Sequence, residues 1–315
     1  MCSSDLYLLN PKNGKPWNPA QPYISTGPVS CTGPDGVTTQ TSGLTQINGF
    51  TMDFHNQFTE QVYGGDLCGN LWRFDLTSPS GAYPAPQKVA VLTDPGGKPQ
   101  PITTAPQIEI DFTNGVDRYV FIGTGRLLDV SDMTTPTPAQ AQTMYALRDG
   151  KLDLPIPDGD PSLPIKRSDL AVVPPGGAPI AGGAPNGWLH DLPDGSGGTA
   201  AERIVVDIEA DVNTVTYIGT QVTPDPCTIA LPANVYAREY ATGTSLINDP
   251  LNGWFYHDDK GGVGIQIVGL QDPVTGAITL GGLLGHEVPG TKPISFKNPS
   301  VFGRNRMSWR LLTGE

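Results

Sequence analysis

The sequence predicts an all-β fold, and within that class a β-propeller, from three observations. Gly (39) and Pro (32) exceed a fifth of the 315 residues, yet they are dispersed between runs rich in Val, Ile, Tyr and Trp, as in a chain of many short strands. Helical periodicity is weak everywhere; PAQAQTMYAL (138–147) has the length for a short helix, but its neighbours argue for strand. A strand-pair unit recurs at irregular spacings of tens of residues, which is how blades separated by long loops read. A pair of β-sandwiches is the alternative architecture.

The units run in order along the chain. LYLLNPKNG (6–14) reads as the second half of a unit, within a fragment at 6–30. VYGGDLCGNLWRFDL (62–76) alternates apolar and polar residues and turns at Gly69-Asn70. Asp66 is placed to hydrogen-bond across that turn, and Trp72 and Phe74 to face one sheet surface between blades. YVFIGTG (119–125) and YIGT (217–220) repeat the first strand as an aromatic or apolar pair, then Gly, then Asp or Thr. Each is followed by a strand with a central aromatic: NLWRFDL (70–76), TMYALRDG (143–150) and NVYAREYATG (234–243). An acidic residue, Glu60, Asp117 or Asp211, precedes each first strand. These signals place units at 42–76, 85–147, 187–241 and 247–311. The Pro/Gly/Asp-rich stretch 151–186 reads as a binding loop or a solvated linker. Residues 269–292 read as short strands around Gly-rich turns.

Composition narrows the function. Nineteen Lys and Arg against 31 Asp and Glu give a net charge of −12, which argues against nucleic acid, because phosphate binding needs a basic patch. No apolar run is long enough to span a membrane. MCSSDL (1–6) has neither the charged nor the apolar region of a signal peptide, and resembles the in-frame reading of a sequencing-adapter tail. Residues 1–6 are therefore expected to be an artefactual leader, and 7–315 a partial, N-terminally truncated propeller domain. Cys2 is then not native. Cys31, Cys68 and Cys227 remain, an odd count that cannot pair fully and whose connectivity stays open.

Catalytic motifs are missing from the sequence. His55, His190, His257 and His286 form no zinc-type spacing. There is no GxSxG elbow and no phosphate-binding GxxxxGK[ST] loop. His257 beside Asp258-Asp259 reads as a solvated turn. Trp72, Trp188 and Trp309 lie in alternating strand contexts and read as core. Trp254, in LNGWFYHDD, reads as core or as a half-exposed partner contact.

Several motifs resemble one family in the same order. VYGGDLCGNLWRFDL resembles the VYxGDxxGNLWRFDL signature of the C-terminal propeller of the PilC/PilY family, type IV pilus tip-associated proteins involved in pilus biogenesis and adhesion. PITTAP (101–106), YVFIGTGRLLDVSD (119–132), GWLHDLPDG (187–195) with ERIVVD (202–207), TPDPC (223–227), VYAREYATG (235–243) and RNRMSWRLL (304–312) continue the resemblance over about residues 45–315. Cys68 and Arg238-Glu239 depart from the family pattern, and the family's von Willebrand-like module is absent from this stretch.

The resemblance implies a non-enzymatic β-propeller binding scaffold, located at the cell surface or pilus after export through the periplasm and outer membrane. Its implied partners are minor pilins or the pilus tip, and host or abiotic surfaces. It also implies a calcium loop just before the VYxGD strand. In MDFHNQFTEQVYGGD (52–66) the oxygen donors are Asp53, Asn56 and Glu60, although Phe54 and His55 break the alternation and Gln57 replaces the turn glycine. EIDFTNGVDRYVF (109–121), with Asp111, Asn114 and Asp117, is too short for such a loop and reads as an Asx turn. A quinoprotein-type propeller oxidoreductase is the alternative from another class, since LYLLNPKNGKPW and REYATG resemble its repeats. A propeller lectin would need exposed aromatics repeated in every blade.

Overall fold

The computed structural model describes residues 4–33, 39–52, 58–78, 81–113, 115–133, 139–174, 176–180, 184–222, 231–249, 251–271, 278–286 and 290–296. Among the described residues, four larger sheets follow one another, antiparallel except for a short outer strand added in parallel to each of the first two. The first contains Leu44–Phe50, Gln61–Asp66, Asn70–Asp75 and Gln87–Val91 in consecutive order. The second contains Gln107–Asp111, Asp117–Gly123, Thr143–Lys151 and Gly187–Asp191. The third contains Glu209–Asp211, Thr214–Gln221, Ala233–Glu239 and Tyr256–Asp258, and the fourth Gly262–Gln271, Ile278–His286 and Thr291–Ser295. These are propeller blades 1 to 4, each a meander that starts at the inner edge.

Blades pack face to face, which explains the composition of the repeated strands. In Asp117–Gly123, Tyr119 and Phe121 face blade 3, in a core with Tyr217 and Tyr236. Val120 and Ile122 face blade 1, in a core with Tyr63 and Leu71. Every residue of that strand is buried, so it reads as a continuous apolar run rather than a simple alternation. A third core joins blades 3 and 4 through Ile218, Val235, Leu280 and Leu284. The outer face of blade 1 takes Leu6 and Ile24 onto Trp72 and Phe74. This bears out the placement of Trp72 and Phe74 on one surface.

The blade boundaries differ from the units read in the sequence. Gln87–Val91 closes blade 1 instead of opening the next unit, and Gly187–Asp191 and Tyr256–Asp258 likewise close blades 2 and 3. The repeat signal lies in the two central strands, whereas each outer strand arrives after a loop without a motif. The stretch 151–186 is also more built than a linker. Its Ile165–Lys166 pairs in parallel with blade 1, its Ala171–Val172 pairs in parallel with blade 2, and Arg167 bonds Asp191 between them. It straps the outer edges of two blades, which protects them from further pairing.

The recurring glycine has a steric cause. The connection from blade 1 to blade 2 lays Ile102 over Gly65, where a Cβ would stand 2.2 Å from Ile102 Cγ2. The next connection lays Ile204 over Gly123 at 2.3 Å. The backbone repeats too, with Ile102 N–H donating to Asp66 O at 3.1 Å and Ile204 N–H to Thr124 O at 3.0 Å. PITTAP and ERIVVD thus do the same work in successive blades. Gly65→Ala is expected to cost about 1–3 kcal/mol by overpacking, whereas Gly264→Ala, where a Cβ meets nothing within 4 Å, should stay within about 0.5 kcal/mol of the parent. Equilibrium denaturation of the two variants checks the contrast.

A disulfide between Cys31 and Cys68 ties the hairpin of Val29–Thr32 and Thr39–Ser42 to the turn of blade 1 across a separation of 37 residues. Cys227 lies outside the described residues. Closing a loop of that length restricts the unfolded chain, so the Cys31→Ser/Cys68→Ser double variant is expected to lose roughly 2–4 kcal/mol. Denaturation with and without reductant measures it; equal midpoints for parent and variant under oxidising conditions would refute it.

Candidate functional site

VYGGDLCGNLWRFDL forms the central hairpin of blade 1 and its side chains are committed to structure. Asp66 is buried and accepts from Cys68 N–H (2.8 Å), Asn70 N–H (3.0 Å), Asn70 Nδ2 (2.8 Å) and Trp72 Nε1 (2.9 Å). The turn falls on residues 67–69, with Gly69 at φ +75°, and Asn70 already begins the second strand. The cross-turn role expected of Asp66 is therefore present, in a denser form than one bond.

Behind the hairpin lies a buried ionic seam between blades 1 and 2. Arg73 Nη1 stands 2.6 Å from Asp149 Oδ2, and its Nη2 2.7 Å from Asp158 Oδ1. Tyr63 O–H donates to Asp149 at 2.7 Å, and Arg118 donates to Gln61 at 2.7 Å while stacking 4.0 Å from the Phe50 ring centre. Burial, with the nearby Asp149 charge, pushes the Tyr63 hydroxyl well above its usual range, so it stays a donor. A buried guanidinium held by two carboxylates and the Ile156 carbonyl ties the two blades together.

Between blades 2 and 3 the seam is aromatic. Tyr217 stacks on Tyr236 at 4.9 Å, and Trp254 meets His190 edge-on at 5.1 Å. Arg238 is fully buried, donating to the Tyr217 hydroxyl (2.8 Å) and the Gly243 carbonyl (2.7 Å). Burial and Arg238 together hold His190 neutral, well below its usual value. Trp254 is thus part of the seam. Asp258, read as solvated, is 4% exposed and lies 3.1 Å from His286 Nε2 of blade 4. The reason is that 256–258 is an outer strand facing the next blade.

Glu202 stands at the entry to blade 3. It is 2% exposed, and it accepts from Asn234 Nδ2 and from Tyr236 O–H at 2.8 Å. Asn234 in turn faces His257, whose Nε2 lies 3.0 Å from Asp259. Burial raises the Glu202 carboxyl to about 7, against hydrogen bonds from Tyr236, Asn234 and Gln221 that lower it. A folded-state value above the unfolded one means the contribution is fully present below about pH 4.5 and is lost as pH rises through about 7. The Glu202→Gln variant, neutral throughout, is therefore expected to keep stability that the parent loses between pH 5 and 8, by on the order of 3 kcal/mol. Denaturant midpoints across that range measure it; parallel pH profiles for parent and variant would refute it.

The inner strands converge on an axis, where an open groove of about 420 Å³ is lined by Gln46, Val205, Val206, Asp207, Ile208, Glu209, Val263, Gly264 and Ile265. Asp207 Oδ1 accepts Ala105 N–H at 3.2 Å. Burial and the neighbouring Asp211 charge raise the Glu209 carboxyl. No sequence motif marks these residues. ERIVVD carries three of them, Val205, Val206 and Asp207, but as part of a resemblance and not as a site.

The calcium candidates are only partly placed. Asp53 and Asn56 lie outside the described residues. Glu60 precedes Gln61–Asp66, its N–H donating to Phe50 O at 2.9 Å and its Oε2 accepting Met52 N–H at 3.2 Å. Asp111 accepts Thr113 N–H at 2.8 Å, an Asx turn as expected, while Asp117 pairs with Arg148 and Lys151. Asn114 lies outside the described residues. Among the described residues, no group of three or more His, Cys, Asp or Glu is placed to hold a metal.

Comparison with known proteins adds the context for this geometry. No family model matches the chain. The type IV pilus biogenesis factor PilY1 homolog of Xylella fastidiosa is 29% identical over 273 residues, which cover 81% of this chain and 21% of that protein. The chain thus spans about a fifth of the length of this curated relative. The crystal structure of the Pseudomonas aeruginosa PilY1 C-terminal domain matches with a TM-score of 0.62 at 18% identity, covering 94% of this chain and 66% of that one. A quinohemoprotein alcohol dehydrogenase of Pseudomonas putida reaches a TM-score of 0.38 at 12% identity, over 76% of this chain and 32% of that one. The chain is thus similar in sequence to a PilY1 homolog and shares the fold of the PilY1 C-terminal domain, with the signature hairpin in its place.

Proposed function

We propose that the chain is the β-propeller binding scaffold of a type IV pilus biogenesis factor and tip-associated adhesin, acting without turnover. The likeness to the Xylella fastidiosa pilus biogenesis factor carries this reading. The structure supports the scaffold part of it. Tyr63, Asp66, Trp72 and Arg73, the marked residues of the signature hairpin, are all engaged inside or between blades. The loops are left to meet minor pilins at the pilus tip, or a host or abiotic surface. The Cys31–Cys68 disulfide supports export to an oxidising compartment and hence a cell-surface location. Among the described residues no helix is long and apolar enough to cross a membrane.

Calcium modulation belongs to the same proposal. Asp53, Asn56 and Glu60 supply two carboxylates and one amide, and calcium takes about six to eight oxygens, so backbone carbonyls and water would complete the shell. Bound calcium would neutralise the carboxylates next to the signature strand.

Biolayer interferometry of the purified chain against purified minor pilins, with calcium and with chelator, tests the reading. Saturable binding is expected. Calorimetry is expected to show calcium binding that Asp53→Ala/Glu60→Ala abolishes. Absence of pilin and surface binding under both conditions would sink the adhesin reading, and quinone-dependent dye reduction by the chain would sink the non-enzymatic one.

A further inference from the structure

Three inner strands break their pairing where they line the axial groove. In blade 1 the register shifts between Leu44 and Ile47, beside Gln46. In blade 3 the inner edge is split, with Glu202–Arg203 and Glu209–Asp211 both pairing with Thr214–Gln221 while the residues between them leave the sheet. In blade 4 the register shifts between Gly262 and Gly264, beside Val263. Bulges of this kind re-aim side chains, and they concentrate where sheets meet ligands. Here all three open onto one space.

The groove has a chemical character. Its walls are apolar, through Val205, Val206, Ile208 and the half-exposed Val263. Its polar groups include two carboxylates, Asp207 and Glu209, and none of its lining residues is basic. Among the described residues neither carboxylate has an ion-pair partner. Alongside runs Gly262–Gln271, which among the described strands pairs on one side only, with Ile278–His286. At Gly264 a Cβ would meet nothing within 4 Å. A free strand edge beside an apolar trough is the geometry of strand addition, in which backbone bonds give affinity and side-chain pockets give selectivity. Two uncompensated carboxylates favour a cation in that pocket.

We propose that the axial groove is a docking site for an extended segment of a partner protein carrying one lysine or arginine. The segment lies along the inner edge of Gly262–Gln271, with its basic side chain between Asp207 and Glu209 and small apolar neighbours against Val205 and Val263. The assignment stands on the groove alone and is independent of the pilus reading, so either can fail without the other.

Fluorescein-labelled peptides acetyl-Ala-Val-Xaa-Val-Ala-amide, with Xaa as Lys, Arg, Gln or Glu, test it by anisotropy against the 315-residue chain. The Lys and Arg peptides are expected to bind saturably, and the Glu peptide about tenfold or more weakly. Asp207→Asn/Glu209→Gln should weaken the Lys peptide by a similar factor. Gly264→Leu, which fills open space, should block it while leaving the circular dichroism spectrum and melting midpoint unchanged. Equal binding of Lys and Glu peptides, no saturable binding, or binding that survives Gly264→Leu would each overturn the proposal. Self-association of the chain that Gly264→Leu abolishes, or calcium binding that Asp207→Asn/Glu209→Gln abolishes, in place of peptide binding would also overturn it.

Discussion

Each blade hairpin has to accept a crossover from its own outer strand on the way to the next blade, and it does so where a side chain is missing. Ile102 lies on Gly65 and Ile204 on Gly123, each closer than a Cβ would permit. The crossover isoleucine is then locked by its own N–H to the carbonyl of the residue after the glycine, Asp66 or Thr124. This contact sets the offset of one blade from the next. Blade 3 has a different cover: over Gly219 lies Glu202, from the strand that enters the same blade, with its Oε2 2.1 Å from where a Cβ would stand. A buried carboxyl thus fills the space over this glycine. The cost appears as the raised protonation range of Glu202, because burial disfavours the charged form.

Packing on both faces has a second consequence. Strands without a solvated side must bury whatever polar side chains they carry, and each then needs a partner. Blade 1 carries Arg73 into the seam and blade 2 meets it with Asp149. Blade 3 carries Arg238, which is met by a hydroxyl, a carbonyl and the Trp254 ring at 5.1 Å. Replacing one partner alone would strand a charge in the interior, typically at about 3–5 kcal/mol. Such pairs act as keys that make adjacent blades recognise each other, and this accounts for conspicuous polar residues in motifs with no catalytic partner.

The parts of this structure that were legible in the sequence are those encoded locally. The repeated aromatic or apolar pair before a glycine, the central aromatic of the second strand and turn glycines marked the central hairpins around 62–76, 119–150 and 217–241, and the core roles of Trp72 and Trp188 followed. The outer strands were assigned to the wrong units, because Gln87–Val91 and Tyr256–Asp258 pair with strands they do not resemble. The strap at 165–172 was unreadable for a related reason: two-residue parallel pairings leave no periodic trace. The Cys31–Cys68 pairing depends on how an N-terminal hairpin docks, which no spacing encodes. Of the calcium candidates, Asp53 and Asn56 fall outside the described residues, and Glu60 turns its carboxylate to the Met52 amide. The groove was invisible for a different reason. Its residues come from three blades, and what unites them is interrupted pairing.

That interruption connects scaffold to function. A sheet whose seams are filled and whose outer edges are strapped has few places left for a partner. Loops are one, since they carry no pairing to lose. The inner edges are the other, because the innermost strand of a blade has a neighbour on one side only. In blades 1, 3 and 4 that edge is further loosened by register breaks at a common level. Regular pairing continued through these points would bring Gln46, Asp207 and Val263 back into their sheets and close the trough. The breaks leave carboxylates and backbone exposed along an apolar wall, although Ile208 and Ile265 behind it belong to the inter-blade cores. Features that weaken a fold without serving its packing are where binding is most reasonably sought, and in this propeller they meet at the axis.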